Sequence, residues 1–451
     1  MTELSVASQN AISAMLEMAP DSALAKLSVA LRTTPGAKAD WIRRRTVAEI
    51  SARRMRTIAF GPLIALFRKR VDGVRGLSFP APILNGLWRR VCERQALLLA
   101  QAEDMTVGGG EIDPRLLDQL CLSAAAILRD QPALVWPGLD PRTAGHVAAC
   151  FDLAPLARAA MPMLDMWTGR ADADSEASLR LMMRDAVRIR EDAAPLMLEI
   201  LFANIEDAAL ILRVISRVSG AGGEERFLAD SELADFGERL FERVEAAAET
   251  LNEFHPGRDD VETARQVALR LERAAGMMAQ MELSLAFTPD GAWGARFHEL
   301  KLRMGRALDG LLGLCPRMVD KALPMERVRI HGAMSRMAPV MDARTDGPLV
   351  EQARSAMQML NASKAAAGVL GCAGQRAQLC ETLEKRLTQY GDELIEALNA
   401  GEGPDEDHMA RLAALCAGFL EQADAEVPAR TLRRRLAAAQ GATAAPSPQM
   451  A

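Results

Sequence analysis

The chain has 451 residues, of which 49% are hydrophobic, 25% charged and 4% aromatic. Abundant helix-forming residues and few aromatic ones disfavour a β-rich fold and predict an all-α protein of two or three domains. The net charge of −6 is unevenly placed, because residues 1–100 carry +9 and the remainder −15. No apolar run of the length needed to span a membrane is present in the sequence.

The first distinctive predicted element is a helix over residues 40–60, followed by a break at Gly61 and Pro62. Its narrow apolar side consists of Trp41, Ala48, Ala52, Met55 and Ala59. Glu49 lies four residues from both Arg45 and Arg53, so part of the positive charge is expected to be paired within the helix. After the break, PLIALFRKRV predicts a second short helix with cations in its last turn, where they would complement the helix dipole. The uncharged span TIAFGPLIALF is expected to be buried in a core, a partner groove or a membrane interface.

The arginines of this region are the candidate anion-binding or partner-binding residues. The set consists of Arg43, Arg45, Arg53, Arg54, Arg56, Arg90 and Arg94. Three interpretations are open: the cations pair with the protein's own acidic half, they contact a protein partner with an acidic surface, or segment 43–94 binds nucleic acid or an anionic membrane surface. No helix-turn-helix spacing accompanies them, and apart from Trp88 near Arg90 and Arg94 almost no aromatic residue is interleaved with them for stacking.

Clusters of turn-forming residues divide the chain into regions. These are a basic N-terminal helical region, 1–105; short helical hairpins, 113–224; a long-helix bundle, 228–436; and a disordered tail, 437–451. The predicted fold is therefore all-α, built of multi-helical hairpins or a bundle, or of an irregular α-solenoid-like stack, with a C-terminal set of longer antiparallel helices. Residues 108–110 are three glycines, interpreted as a flexible linker because the Lys and Ser or Thr of a phosphate loop do not follow.

Two apolar stripes support the prediction of long helices in the C-terminal half. The first consists of Ala264, Val267, Leu271, Ala274, Met278, Met281 and Leu285, and Asp259 or Asp260 is its expected N-cap. The second consists of Leu379, Leu383, Leu387, Tyr390, Leu394 and Leu398, on a helix predicted from Gly374 to Asn399. Each stripe is short, which favours antiparallel packing within the chain.

Three methionines form a candidate apolar partner face. Met334, Met337 and Met341 step by three and then four residues, which would align them on one side of an unbroken helix, although Pro339 falls inside the set. Flexible thioethers suit adaptable binding surfaces, but they also fill gaps between Ala-rich helices. Core filling is therefore the favoured interpretation, and a partner-binding face is the alternative.

The sequence contains no set of residues that predicts a catalytic, cofactor-binding or metal-binding site. The seven cysteines form no CxxC pair and are predicted to be small buried residues in a reducing compartment. Asp405 and His408 have the i, i+3 spacing of two metal ligands, but their position in the acidic opening of a helix favours capping. No cofactor is expected, and an enzyme without a recognisable motif stays an alternative.

These patterns predict a non-catalytic helical interaction, scaffold or regulatory protein that binds a protein partner. Nucleic acid or an anionic membrane surface is the alternative partner. The opening residues MTELSVASQN lack the apolar region of a secretory signal, and a cytoplasmic location is expected. Arginine supplies 47 of the 54 basic residues, a bias that suggests a GC-rich bacterial genome.

Overall fold

The protein is helical throughout, apart from one two-stranded hairpin in the described residues, so the all-α prediction is confirmed. The structure, a computed structural model, describes residues 4–107, 111–170, 172–220, 228–229, 233–331, 334–401 and 405–443. The chain forms two compact units, residues 1–206 and residues 207–451. Whether regions 1–105, 113–224 and 228–436 are separate domains stays a prediction.

The first unit is a set of mostly short helices. They are α1 Val6–Met18, α2 Asp21–Leu31, α3 Ala37–Phe60, α4 Ala81–Arg94, α5 Ala96–Val107, α6 Pro114–Asp130, α7 Pro132–Val135, α8 Pro141–Asp152, α9 Ala154–Ala160, α10 Leu164–Thr168, α11 Ala173–Ile189 and α12 Ala193–Asn204. Two 3₁₀ helices, Gly61–Phe67 and Met161–Met163, join consecutive α-helices. The proposed linker at 108–110 lies outside the described residues.

Helix α6 forms the centre of the first unit, where it packs against α3, α4 and α8. It begins at Asp113, whose carboxylate accepts a hydrogen bond from the backbone N–H of Arg115 at 2.9 Å. Its buried face follows the helical period: Leu117, Leu120, Cys121, Ala124, Ile127 and Leu128. Each fully buried leucine contributes roughly 1.5–3 kcal/mol of hydrophobic stabilisation, so this face anchors the unit.

The segment after Gly61 is a 3₁₀ helix that ends at Phe67, and the prediction of a longer helix ending in RKR is wrong. Gly61 ends α3 with φ of 49°, a conformation that glycine adopts without strain. The apolar residues that follow are buried: Leu63, Ile64, Leu66 and Phe67. They pack against α3, α9 and α12, so this apolar span belongs to the core. Arg68, Lys69 and Arg70 follow the helix and do not lie in its last turn.

The second unit is built of longer helices. They are α13 Ile211–Ser219, α14 Ala234–Glu253, α15 Val261–Ser284, α16 Ala292–Leu312, α17 Cys315–Ala322, α18 Pro348–Ala362, α19 Lys364–Val369, α20 Ala373–Asn399, α21 Glu406–Gln422 and α22 Glu426–Thr443, preceded by the 3₁₀ helix Ala208–Leu210. Helix α15 packs against α14, α18 and α19, and α20, α21 and α22 pack against one another.

Both predicted apolar stripes belong to the core of the second unit. All seven residues of the first stripe are at most 4% exposed, and Asp260 caps α15 by accepting a hydrogen bond from the N–H of Thr263 at 2.8 Å. The second stripe lies on α20, which starts at Ala373 and ends at Asn399, and only Leu379 among its six residues is half-buried. Periodicity located α20 to within one residue at both ends, and the capping pattern located the start of α15.

The two strands, β1 Met325–His331 and β2 Met334–Pro339, form an antiparallel hairpin between α17 and α18. The register pairs Arg327 with Met337 and Val328 with Arg336, with an irregularity between Arg329 and His331. The prediction that Met334, Met337 and Met341 share a helix face is therefore wrong. Pro339 ends β2, a position where its missing N–H removes no hydrogen bond from the middle of the ladder.

The chain terminus is helical further than predicted. Helix α22 continues to Thr443, so residues 437–443 of the predicted disordered tail are helical. Residues 444–451 lie outside the described residues.

Candidate functional site

The basic amino-terminal region is neutralised within its own compact unit. Residues 1–206 contain 25 Lys or Arg and 24 Asp or Glu, a net charge of +1, although the first 100 residues alone carry +9. Residues 101–206 contribute −8 to this sum, so the unit is nearly neutral by itself. The individual contacts of the seven candidate arginines follow.

Arg53 caps the carboxyl end of α1. Its guanidinium donates to the carbonyl oxygens of Leu16 at 2.9 Å, Glu17 at 2.9 Å and Ala19 at 2.8 Å. The remaining donors pair with Glu49 at 2.8 Å and Asp21 at 2.7 Å, so all five N–H donors are used. Burial lowers the pKa of Arg53, but the two carboxylates outweigh burial and raise it overall. This side chain, 15% exposed, is structural.

Arg43 and Arg56 are also held by neighbouring helices. Arg43 pairs with Asp40 and donates to the carbonyl of Leu31, the last residue of α2, at 3.3 Å. Arg56 donates to the side-chain oxygen of Asn85 on α4, while its Nε has no hydrogen-bond partner among the described residues. Burial lowers the pKa of Arg56, with a further contribution from the charge of Arg53. Arg56 is therefore half-buried between α3 and α4, whereas the side chain of Arg43 is 37% exposed.

Three of the remaining four candidates also have partners in the first unit. Arg45 donates to the Ser13 hydroxyl at 3.2 Å, and Arg94 lies 3.7 Å from a carboxylate oxygen of Asp130. Arg90 pairs with Glu93 at 2.7 Å and donates to the carbonyl of Leu134 at 3.2 Å. Arg54 is exposed and has no hydrogen bond or ion pair with a described residue. Within the candidate set and the described residues, Arg54 is thus the one free cation.

The capping role of arginine extends well beyond the basic segment. Arg70 donates to Phe202 and, at 3.0 Å, to Ile205, at the end of α12. Further contacts of this kind with helix ends are Arg158 with Ile58 and Ala59 of α3, Arg258 with Glu253 of α14, and Arg376 with Leu360 of α18. The last turn of a helix leaves carbonyls without intrahelical partners, and a cation there also opposes the negative end of the helix dipole. Much of the arginine content thus has a structural explanation.

The hairpin is the more exposed candidate. One of its faces packs on α20: Ala338 is 7% exposed, and Arg336 pairs with Glu393 at 3.0 Å. On the other face, Arg327 stands opposite Met337, and alternation places Arg329 on the same side. Met337 is 43% exposed, and neither Arg327 nor Arg329 has a hydrogen bond or ion pair with a described residue. This outward surface is called the hairpin face below.

Sequence reasoning placed Met337 at a surface but missed Arg327 and Arg329. The signal was the alternation in RVRIH, where charged residues alternate with β-branched Val328 and Ile330. Of the other predicted members of the methionine set, Met341 is half-buried in the loop after β2, and the side chain of Met334 lies outside the described residues. The three methionines thus do not form one continuous face.

The described side chains contain no group of three or more metal-ligating residues. Asp405 caps α21 by accepting a hydrogen bond from the backbone N–H of His408 at 3.2 Å, in agreement with the capping interpretation. The ring Nε2 of His408 lies 3.0 Å from the carbonyl oxygen of Ala343. All seven cysteines are free thiols, six of them buried and Cys92 half-buried. Burial raises the pKa of Cys121, Cys150, Cys315 and Cys416 to about 12.

Comparison with known proteins gives no family assignment, because no protein-family model, curated protein or solved structure matches the chain. Among the described helices, none is by itself both long and apolar enough to cross a membrane. One pair, Pro141–Asp152 with Ala154–Thr168, meets the length and composition of a span only when joined across a bend of 50°.

Proposed function

We propose that this protein is a helical interaction protein whose hairpin face binds an acidic segment of a partner protein. The supporting observation is the exposure of Arg327, Arg329 and Met337 on the outward face of a hairpin that is anchored to α20 through its opposite face. Such an element presents charged and apolar side chains at fixed spacing, since the helix behind it limits its movement. Met337 adds an apolar contact between the two outward cations.

Charge favours an acidic protein partner over nucleic acid. Residues 207–451 contain 29 Lys or Arg against 36 Asp or Glu, a net charge of −7, so a polyanion would be repelled by the surroundings of the hairpin. A short acidic segment needs to satisfy only Arg327 and Arg329. In the first unit, most of the candidate arginines are already paired. Nucleic-acid or membrane binding through residues 43–94 therefore has less support.

Strand addition is the mode of contact that the hairpin geometry supports best. The sheet has two strands in the described residues, so the edge of β1 that faces away from β2 has no strand partner there. An extended segment can pair with such an edge through main-chain hydrogen bonds, while alternate side chains set specificity. Arg327 and Arg329 lie about 7 Å apart along one face, which matches carboxylates at alternate positions of a partner strand.

A photo-crosslinking residue in place of Met337 tests this proposal in the native host. We expect adducts to a partner peptide rich in Asp or Glu, and we expect Arg327→Glu with Arg329→Glu to abolish them. Leu122 of α6, 49% exposed in the first unit, provides the control position for the crosslinker. Arg44→Glu with Arg54→Glu is the control charge reversal, because both residues are exposed on the basic helix α3.

Adducts at position 337 that survive the hairpin reversal would contradict the proposal. Loss of the same adducts on reversal at positions 44 and 54 would instead assign recognition to the basic segment. Retention of duplex DNA by the wild-type protein in a salt-sensitive way, lost only on reversal at positions 44 and 54, would favour the nucleic-acid alternative.

A further inference from the structure

A groove in the second unit combines two arginines with an apolar floor. Its volume is about 440 Å³, within the range of small-molecule sites. The polar lining consists of Thr345, Arg354, Arg411 and Gln422, and the apolar lining of Val261, Ala414, Leu415, Gly418 and Phe419. Helix α21 supplies one wall, from Arg411 to Gln422, and α18 contributes Arg354. The groove lies apart from β1 and β2, whose residues do not line it.

The cations of the groove are available to a ligand. Arg411 is exposed and, like the side chain of Gln422, has no hydrogen bond or ion pair with a described residue. Arg354 pairs with Glu351 of its own helix at 3.2 Å, a contact of two half-exposed side chains that contributes little. A guanidinium has five donors, so Arg354 retains donors for a second acceptor.

The floor of the groove supplies the other half of the recognition chemistry. Phe419 and Leu415 are 2% and 9% exposed, so a ligand would meet only the edges of a well-packed helix face. Gly418 lies between them in sequence, and a Cβ built there meets no atom within 4 Å. The absence of a side chain at this turn of α21 leaves the space between the arginines and the floor open.

We propose that this groove binds a small carboxylate that carries an apolar chain, with the carboxylate on Arg354 and Arg411 and the chain against the exposed Ala414 and the half-buried Val261. The planar guanidinium forks match a carboxylate, and the apolar floor selects for a hydrocarbon portion over a purely polar anion. The second unit as a whole carries −7, so long-range attraction does not bring anions here and local chemistry must provide the affinity.

Titration calorimetry of the full chain with octanoate tests the proposal, and octanamide serves as the uncharged analogue. We expect octanoate to bind and octanamide to bind at least tenfold more weakly. Arg411→Gln should weaken octanoate binding roughly tenfold or more, since it removes charged hydrogen bonds. Arg344→Gln is the matched control, because Arg344 is 80% exposed in the neighbouring loop and does not line the groove.

Gly418→Leu separates binding from folding. A Cβ at this position would meet no atom within 4 Å, and a helix-interior glycine is replaced by a better helix former, so we expect the variant to fold with its leucine side chain in the groove and its Tm not to fall. Gly310→Leu, at an exposed position of α16 with equal space, is the control substitution. We expect Gly418→Leu alone to abolish binding of octanoate.

Unchanged octanoate affinity in folded Gly418→Leu would overturn the proposal, as would equal affinities for octanoate and octanamide or a wild-type protein that binds neither at millimolar concentration. The hairpin reversal at Arg327 and Arg329 should leave octanoate binding unaffected. The proposal for the groove and the proposal for the hairpin face can therefore be refuted independently.

Discussion

At the scale of single residues, several arginines serve as helix caps in this protein. Arg53, Arg70 and Arg158 each bring a forked guanidinium to carbonyls of a helix to which they do not belong. Lysine has one compact ammonium and cannot address several carbonyls and carboxylates in one plane. The arginine side chain therefore matches the geometry of a helix end. This holds even if codon usage also favours arginine.

Arg53 and Arg54 provide a matched pair that tests this role. Arg53→Met keeps the apolar stem but leaves three carbonyls and two carboxylates without their donor, so the free energy of unfolding should fall by about 2–3 kcal/mol. Arg53→Lys should recover only part of that loss. Arg54→Met should change the free energy of unfolding by about 0.5 kcal/mol or less, because Arg54 is exposed. Urea denaturation measures all three, and equal losses for Arg53→Met and Arg54→Met would refute the capping role.

The residue contacts were only partly predictable from the sequence. The pair Glu49–Arg53 is local, with i, i+4 spacing on one helix, and was predicted. The bonds from Arg53 to the end of α1 join residues more than 30 positions apart, and no periodicity encodes them. The distinction between a cation that caps a helix and one that awaits a partner therefore depends on tertiary structure.

At the scale of elements, long amphipathic helices were predictable and the irregular pieces were not. Helices α15 and α20 follow apolar stripes of three heptads, a signal strong enough to fix their ends. The hairpin was mistaken for a helix because three methionines happen to step by three and four residues. The stronger indications were Pro339 and the alternation of charged with β-branched residues in RVRIH, which together favour a strand.

Close helix packing in the first unit depends on Gly86 of α4. A Cβ at this position would lie 1.8 Å from the carbonyl oxygen of Val135 in α7, so the backbones of the two helices would have to separate. We expect Gly86→Ala to lower the free energy of unfolding by about 1–3 kcal/mol or more. A Cβ added at the exposed Gly145 of α8 would meet no atom within 4 Å. Gly145→Ala should therefore raise the free energy of unfolding by roughly 0.5–1 kcal/mol. Thermal melts that shift in the same direction for both variants would contradict this packing.

At the scale of the whole molecule, the boundary between the basic and acidic parts of the sequence does not coincide with the boundary between the two compact units. The sequence suggested a basic region facing an acidic remainder, whereas the first compact unit is nearly neutral and the second carries −7. A running charge count follows chain order and cannot show which acids fold against which bases. The anionic second unit nevertheless contains both candidate binding surfaces, each built around two arginines.

The thiols should report the unfolding of each unit separately. Burial raises the pKa of all seven, to about 11 for Cys92 and to about 12 for Cys121, Cys150, Cys315 and Cys416, so little thiolate forms near neutral pH and alkylation of the native protein should be slow. With increasing denaturant, Cys121 and Cys150 should become reactive together, as should Cys315 and Cys416. Pulsed alkylation with mass spectrometry measures this order. Rapid native alkylation of the buried thiols would refute their burial.

The long-range arginine caps also have a consequence for folding. Arg70 bonds to residues 132 and 135 positions away, and Arg158 bonds to a carbonyl 99 positions away. The ends of α3 and α12 therefore receive these hydrogen bonds only after most of the first unit has been synthesised and collapsed. Until then their last turns lack these donors, so the final ordering of the helix ends should coincide with the closure of the unit as a whole. A cap supplied from so far along the chain ties local helix formation to global folding, which favours a cooperative, all-or-none transition within the unit.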